Sequence, residues 1–81
     1  MASETFHLIV ASVGESRFDG AALSATIPTT GGEITVLPHH EPLVATLRPG
    51  TITVRESLGN KQIQVDGGVL EVSGNRAVVL L

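Results

Sequence analysis

Hydrophobic and polar residues alternate along most of this chain in short runs of the kind that form β-strands. The run from Phe6 to Ala11 is apolar at nearly every position, which predicts a strand covered on both of its faces. The later runs predict seven further strands, with the bounds Ala21 to Ile27, Glu33 to Leu37, Leu43 to Leu47, Ile52 to Arg55, Gln62 to Asp66, Val69 to Val72 and Ala77 to Leu81. No helical spacing is sustained, so no helix is predicted. The pattern predicts an all-β fold, a flattened β-sandwich or barrel of about eight to ten short, mostly antiparallel strands.

Glycine and proline residues separate these strands and predict where the chain turns. We expect a turn over Gly14 to Arg17 and a tight bend at Phe18 to Gly20, where the glycine is free to adopt a positive φ. Pro28 is predicted to end a strand, because it has no N–H to donate to a ladder. Pro38 to Pro42 predicts a fixed, irregular segment, and Arg48 to Gly50 predicts a type II turn.

The composition favours one small domain with an aliphatic core. The chain has 81 residues, of which only two are aromatic. Its ten valines, five isoleucines and eight threonines are β-branched and fit a pleated strand better than a helix. We therefore expect a single domain over residues 1–81, with a sandwich over residues 6–81 and a flexible end over residues 1–5.

Charge and residue content exclude several classes of function. The formal net charge is −3, with five Lys and Arg residues against eight Asp and Glu residues. Nucleic-acid binding needs several phosphate contacts and stacking aromatic residues, so no nucleic-acid partner is expected. The lack of cysteine excludes disulfides, thiolate zinc sites and cysteine nucleophiles. The apolar runs are far too short to span a bilayer, so we expect no direct insertion into a membrane.

The segment His39-His40-Glu41 is the candidate for a metal site. Neighbouring residues on an extended backbone point to opposite sides, so the two imidazoles would need His7 or a distant carboxylate to complete a site. The favoured interpretation is a polar loop between two prolines, with no metal and no other cofactor. A small metal-dependent enzyme that uses His39, His40 and Glu41 stays the alternative.

A second alternative is a group-carrier domain. Biotinyl and lipoyl domains are β-sandwiches of similar length that carry a modifiable lysine at a hairpin tip, and Lys61 is the only lysine of this chain. It follows Gly59 and Asn60 in a predicted turn that begins at Ser57, although Gln62 follows it where those families have another residue. No single residue indicates catalysis, so the residues alone favour a binding or assembly module over an enzyme.

Five segments follow one another along the chain without large gaps: Phe6 to Leu8, Phe18 to Gly20, Gly32 to Leu43, Leu47 to Gly50 and Gly67 to Val72. In this order they resemble the N-terminal β-sandwich domain of the epsilon subunit of F-type ATP synthases. The third is similar to the family's Gly-Glu-(apolar)-Gly-(apolar)-Leu-Pro-Gly-His-Ala-Pro-Leu, and the last to its Gly-Gly-(apolar)-Leu-Glu-Val. Together the five segments cover nearly the whole chain.

This resemblance implies a non-catalytic subunit of the central rotor of a proton-translocating ATP synthase. Such a subunit links the gamma subunit to the polar loops of the membrane c-ring and supports proton-coupled ATP synthesis, at the cytoplasmic side of the bacterial inner membrane. By position, Glu33 matches the family's acidic residue that faces the c-ring. Ser12, His40 and Ala45 match positions that face the gamma subunit, although Ala45 departs in residue type. The resemblance implies no cofactor.

Three residues of the third segment depart from the family pattern. Thr35 and His39 stand where the family usually has glycine, and Glu41 replaces a small residue, so we expect a stiffer and more polar loop. The family continues into a two-helix hairpin with ATP-binding and rotation-blocking properties, and this sequence ends before it, so neither property is assigned.

The first predicted strand, Phe6 to Ala11, has apolar residues on both of its faces. This leads to the hypothesis that one face packs on the core and the other on the gamma subunit.

Overall fold

Nine β-strands make up most of residues 4–81, the part of the chain that this computed structural model describes. The strands are β1 (Phe6–Ser12), β2 (Glu15–Ala22), β3 (Ser24–Thr29), β4 (Gly32–Val36), β5 (Leu43–Leu47), β6 (Gly50–Glu56), β7 (Gly59–Val65), β8 (Gly68–Ser73) and β9 (Arg76–Leu80). These residues include no helix, and so none that could cross a membrane. The predicted all-β fold is confirmed. Residues 1–3, part of the end predicted to be flexible, lie outside the described residues.

The nine strands form one sheet that folds over into two layers. Neighbouring strands in the order β2, β1, β9, β8 and β5 form a five-stranded half, while β4, β3, β6 and β7 form a four-stranded half. Within the described residues, a single pair, Thr29 and Leu47, joins β3 to β5 and so connects the two halves. The parallel pairing is that of β1 with β9, and the other pairs are antiparallel. The sheet is therefore a flattened sandwich that is nearly closed into a barrel, as the alternating pattern predicts.

The core lies between the two halves and is almost entirely aliphatic. Alternate residues of each strand point into it, so Phe6, Leu8 and Val10 of β1 are buried while His7 is exposed. The largest side chains with almost no exposure are Leu8, Ile27, Ile52, Leu70, Val10, Val36, Val54 and Val79. Complete burial of one such side chain contributes about 1.5–3 kcal/mol, so this layer is the main stabilising contact of the domain.

The second strand of the first hairpin, β2, occupies residues for which the sequence predicts a turn and a bend. Only Val13 and Gly14 form the turn, and β2 then runs beside β1. A shift of register within this pair of strands leaves Arg17 as the extra residue of a β-bulge. The predicted bend at Phe18 to Gly20 is wrong because the Phe18 ring fills the core and Gly20 lies beside it in extended backbone, without a positive φ.

Pro28 lies inside β3 and not after the end of a strand. Its C=O accepts a hydrogen bond from the N–H of Arg48 at 3.2 Å. The nitrogen and the C=O of a strand residue point to the same side of the strand. The nitrogen of Pro28, which carries no hydrogen, therefore faces the point at which the strand next to β3 changes from β6 to β5. No hydrogen bond of the ladder is lost there.

The predicted type II turn at Arg48 to Gly50 is wrong. Arg48 and Pro49 form a bend that leads β5 into β6, and Gly50 lacks the positive φ that this turn type needs.

Side chains hold the edges of β2 and β7 together where the ladders of the sheet end. The guanidinium Nη2 of Arg17 donates to the backbone C=O of Gln64 at 3.3 Å. The ammonium of Lys61 lies 5.6 Å from the centre of the Phe18 ring, a cation–π contact worth about 0.5–1 kcal/mol at an exposed site. The barrel is therefore closed along this seam by side chains and not by backbone hydrogen bonds.

The segment between β4 and β5 begins with a tight turn over Leu37 to His40. The N–H of His40 donates to the C=O of Leu37 at 3.1 Å, Pro38 takes the second position, and His39 takes the third with a φ of 62°. Proline at the second position and a positive φ at the third are typical of a type II turn. Asn75 of the β8–β9 turn fixes this loop, because its Oδ1 accepts the N–H of His39 at 2.7 Å. The irregular segment predicted here is thus an ordered turn.

Gly68 lies so close to the end of β9 that a larger residue should destabilise the fold. Its φ is 134°, and an added Cβ would lie 2.5 Å from the C=O oxygen of Leu80. Gly14 also has a positive φ, of 75°, but nothing lies within 4 Å of its added Cβ. We expect Gly68→Ala to lower the free energy of unfolding by about 3 kcal/mol and Gly14→Ala by about 1 kcal/mol. Urea denaturation measures both losses, and equal losses would contradict the close contact.

Replacing His39 by glycine should stabilise the domain. A left-handed backbone costs a residue with a Cβ about 1–2 kcal/mol, while glycine loses about 0.5–1 kcal/mol more in conformational entropy on folding. We therefore expect His39→Gly to raise the free energy of unfolding by about 0.5–1 kcal/mol. His40→Gly is the control, since His40 has no positive φ and should lose stability. Thermal melts compare the two variants, and a lower melting temperature for His39→Gly than for the original chain would refute the turn assignment.

Candidate functional site

The outer face of the five-stranded half is apolar across four neighbouring strands. Two rows of side chains cross it in register, with Ala11, Leu80, Val69 and Thr46 in the first row and Ile9, Val78, Glu71 and Val44 in the second. Val44 is 70% exposed, Leu80 59% and Val69 46%, so three large aliphatic side chains face solvent. We call the six aliphatic members the apolar face: Ile9, Ala11, Val44, Val69, Val78 and Leu80. It extends about 14 Å from β1 to β5 at the usual strand spacing.

The outer face of the four-stranded half is polar by contrast. One row crosses it in register and consists of Thr35, Thr26, Thr53 and Gln62, which together we call the polar face. The hydroxyl oxygens of Thr26 and Thr35 lie 3.3 Å apart and share a hydrogen bond. Single exposed aliphatic residues are ordinary on protein surfaces, but a contiguous exposed patch marks a docking surface. The difference between the two outer faces makes the apolar face the candidate site.

Polar side chains gather at one end of the five-stranded half, around the β8–β9 turn. Nε2 of His7 lies 2.5 Å from Oδ1 of Asp19, and Nε2 of His39 lies 3.5 Å from Oε2 of Glu4. Asn75 connects the same end to the turn at His39. Both ion pairs are exposed, so each contributes little to stability. Their main effect is to border one end of the apolar face with polar groups.

The structure does not gather the three residues predicted to face the gamma subunit. Ser12 is half-buried at the end of β1, whereas His40 is half-buried in the turn that Asn75 fixes, at the opposite end of the five-stranded half. Ala45 pairs with Leu70 and points inward as that residue does, so it is half-buried at the margin of the core. None of these three residues belongs to the apolar face.

Sequence reasoning found only part of the apolar face. It identified Ile9 and Ala11 as a second apolar side of β1, and both are half-buried on the outer face. It did not identify Val44, Val69 or Leu80. The signal was present, since β5, β8 and β9 carry apolar residues at successive positions, but only the register of the sheet makes these residues neighbours.

Glu33, predicted to face the c-ring, lies on the other half of the sheet. It belongs to β4, which pairs only with β3 in the described structure, and it stands opposite Pro28 on the outer side. Its side chain is exposed and joins none of the ion pairs within residues 4–81. Thr29 holds the preceding turn, because its hydroxyl donates to the C=O of Gly32 at 2.5 Å. This arrangement leaves a carboxylate on an ordered edge strand, where it can accept hydrogen bonds from a partner.

The residues that could hold a metal ion do not converge. Nδ1 of His40 lies 2.7 Å from the backbone C=O of Glu41, while the imidazole of His39 pairs with Glu4. Nowhere in residues 4–81 do three His, Asp or Glu side chains come close enough together to bind an ion. The alternative of a metal-dependent enzyme therefore has no support from the described part of the chain.

Lys61 does not lie at a hairpin tip. The turn of the predicted hairpin consists of Ser57 and Leu58 alone, within the predicted span of Ser57 to Asn60, and Lys61 is the third residue of β7. Its ammonium lies over the Phe18 ring. A carrier domain needs its lysine at an accessible tip, so the structure does not support the carrier alternative.

Comparison with known proteins places this fold in a family. Residues 5–81 match the family model described as ATP synthase, Delta/Epsilon chain, beta-sandwich domain. The ATP synthase epsilon chain of Bordetella avium (strain 197N) is 42% identical over 77 residues, which are 94% of this chain and 55% of that protein. The ATP synthase epsilon chain of Thioalkalivibrio sulfidiphilus (strain HL-EbGR7) is 37% identical over 78 residues, with the same two coverages. The chain spans about half the length of the curated relatives it matches.

Solved structures share the fold as well. A chain in the cryo-EM structure of the Euglena gracilis mitochondrial ATP synthase, which comprises OSCP, F1 and the c-ring, matches with a TM-score of 0.87 at 26% identity, over 94% of this chain and 49% of that chain. A chain in the central stalk and c-ring of the Tetrahymena thermophila mitochondrial ATP synthase matches with a TM-score of 0.77 at 15% identity, over 99% and 65%, and this likeness concerns the fold alone. The resemblance seen in the sequence is confirmed. Because the family model covers nearly the whole chain and the relatives are more than a third identical to it, the chain belongs to the family of ATP synthase delta and epsilon β-sandwich domains.

Proposed function

We propose that this chain is a non-catalytic part of the central rotor stalk of an F-type ATP synthase. In this role it joins the gamma subunit to the polar loops of the c-ring and supports proton-coupled ATP synthesis, at the cytoplasmic side of the bacterial inner membrane. The family, the relatives named epsilon chain and the c-ring-containing structure of a neighbour support this role. The observation that carries the proposal is a firmly packed β-barrel with one apolar and one polar outer face.

The apolar face is the surface that we propose docks on the gamma subunit. When a partner covers its exposed side chains, the complex is stabilised by about 25 cal/mol for each Å² of apolar surface removed from water. Because these side chains project from paired strands, little backbone freedom is lost when a partner covers them. Docking would also cover Ile9 and Ala11, which are half-buried in the isolated domain. It would thereby complete the two-sided burial that the sequence predicts for β1.

Ser12, His40 and Ala45 stay proposed contacts of the gamma subunit at the margins of this face. Ser12 directly follows Ala11 at one end, and His40 lies in the ordered turn at the other end. Ala45 is half-buried on β5, the strand at the edge of the five-stranded half. All three keep accessible surface that a large partner can cover. The N–H of His39 donates a hydrogen bond to Asn75 and so fixes the loop, and His40 would therefore lose little conformational freedom on binding.

Transfer of torque requires a connecting part that resists shear. In this domain short turns and a continuous sheet link the two halves around a tightly packed aliphatic core. Close-packed interiors are barely compressible, so a force applied to one outer face is transmitted to the other. Glu33 lies on the four-stranded half, away from the apolar face. We propose that one half binds the gamma subunit while Glu33 on the other half accepts hydrogen bonds from a polar loop of the c-ring.

Leu80→Asp should weaken binding to the gamma subunit by about 100-fold. Leu80 is 59% exposed, so the substitution spares the core, but docking would then bury an unpaired carboxylate. Gln62→Asp makes the same charge change at an exposed position of the polar face and should leave the affinity within about twofold. Calorimetric titration of purified gamma subunit with each variant gives the affinities. An unchanged affinity for Leu80→Asp would contradict docking on the apolar face.

Glu33→Lys should weaken attachment to the c-ring by about tenfold and leave the affinity for the gamma subunit unchanged. The substitution replaces an acceptor of hydrogen bonds by a donor of opposite charge on the exposed edge of β4. Glu56→Lys is the control, because Glu56 is a carboxylate of the same half that also joins none of the ion pairs within residues 4–81 and lies beside the β6–β7 turn. Co-sedimentation of the gamma-bound variants with detergent-solubilised c-ring measures the attachment. An equal loss in both variants would indicate a general charge effect and would argue against a specific contact at Glu33.

A further inference from the structure

Two opposite charges, Glu71 and Arg76, stand next to each other where the apolar face ends toward the β8–β9 turn. Glu71 lies in the second row between Val78 and Val44, and Arg76 lies one row further along β9, opposite Ser73. Both side chains are exposed and point outward, as the alternation of buried residues in β8 and β9 requires. Diagonal neighbours on one face of antiparallel strands have Cα atoms about 7–8 Å apart. The two side chains are therefore long enough to meet.

Glu71 and Arg76 nevertheless form no ion pair with each other in the described part of the chain. The ion pairs within residues 4–81 belong to other residues, namely His7 with Asp19, Arg17 with Glu15 and His39 with Glu4. An open cleft of about 390 Å³ lies between the two charges, and its other lining residues are Ser73, Gly74 and Val78. The imidazole of His7, on the same side of the sheet, already contacts the carboxylate of Asp19. The face thus presents one negative and one positive centre to a partner.

A purely apolar partner would bury these two charges, which form no ion pair with each other in the described structure, and would supply no charge of its own to offset the cost. Removing an unpaired charge from water costs several kcal/mol, whereas an opposite charge on the partner offsets much of this cost. Complementary charges at an interface contribute more to specificity than to affinity. If a partner docked in the reverse orientation, like charges would face each other and oppose binding. The positions of Glu71 and Arg76 therefore restrict how a partner can approach.

We propose that Glu71 and Arg76 fix the orientation in which the partner docks on the apolar face. The surface that fits is apolar and carries a basic side chain that faces Glu71 and an acidic side chain that faces Arg76, about 7 Å apart. This inference rests on the proposed docking of the gamma subunit on the same face. It adds the charge pattern that the docking surface of that subunit must carry.

An exchange of the two charges tests the proposal without altering the net charge. The double variant Glu71→Arg with Arg76→Glu reverses the order of the charges and should bind purified gamma subunit about 100-fold more weakly. The control is Arg55→Glu with Glu56→Arg, an exchange of the same two charge types on β6 of the other half, which should bind within about twofold of the original chain. Calorimetry at low and high ionic strength gives the affinities, and the weakening should shrink as salt screens the charges.

Two single variants keep the test decisive if the exchange disturbs folding. Glu71→Gln and Arg76→Gln each remove one charge at an exposed position, and each should weaken binding about five- to tenfold. The proposal is overturned if both bind within about twofold of the original chain. It is also overturned if the control exchange weakens binding as much as the test exchange, since the effect would then not depend on this site.

The variant Leu80→Asp separates failure of this inference from failure of the docking proposal. If Leu80→Asp weakens binding while the charge variants do not, the partner docks on the apolar face without the proposed charge pattern, and only this inference fails. If Leu80→Asp leaves binding unchanged, the partner does not use this face, and both proposals fail. Weakening by Leu80→Asp together with the charge variants is the result that we expect.

Discussion

The aliphatic core between the two halves of the sheet is the contact on which the rest of the structure depends. The chain has two aromatic residues and no disulfide, so side chains such as Leu8, Ile27, Ile52 and Leu70 must fill this layer. A sheet can enclose them only by folding over, and the bend between β5 and β6 with the single link from Thr29 to Leu47 accomplishes this. One consequence concerns the five-stranded half. Its strands are apolar on the outer side as well, and nothing in residues 4–81 covers that side.

The inner faces of the strands determine stability, and the outer faces determine what the domain can contact. The hydroxyl and amide groups on the polar face can hydrogen-bond to water, whereas burial of the valine and leucine side chains on the apolar face by a partner is favourable. A firmly packed barrel carries both faces, which suits the proposed transfer of force between neighbouring subunits. In the proposed docking, the charges of Glu71 and Arg76 would turn a non-directional apolar contact into one with a preferred orientation.

Local signals in the sequence predict most of the fold, and long-range packing decides the rest. Alternation correctly predicts β1, β4 and β5, because each of these strands is recognisable from its own residues. It fails at Phe18 to Gly20. The phenyl ring of Phe18 is buried among core residues that are distant in sequence, and pairing with β1 keeps this segment extended. Part of the site could be found in the same way, through the two-sided pattern of β1. The inward orientation of Ala45 and the nearness of Glu71 to Arg76 could not be found in this way, because both depend on strand register.

Solvent exposure of individual methyl groups tests the role of the apolar face most directly. Methyl NMR with a paramagnetic cosolute reports this exposure for valine, leucine and threonine residues of the domain, alone and bound to the gamma subunit. We predict that the methyl groups of Val44, Val69 and Leu80 become protected in the complex, while those of Thr26 and Thr53 on the polar face keep their exposure. Protection of the threonine methyl groups, with Val44, Val69 and Leu80 still open to solvent, would contradict docking through the apolar face.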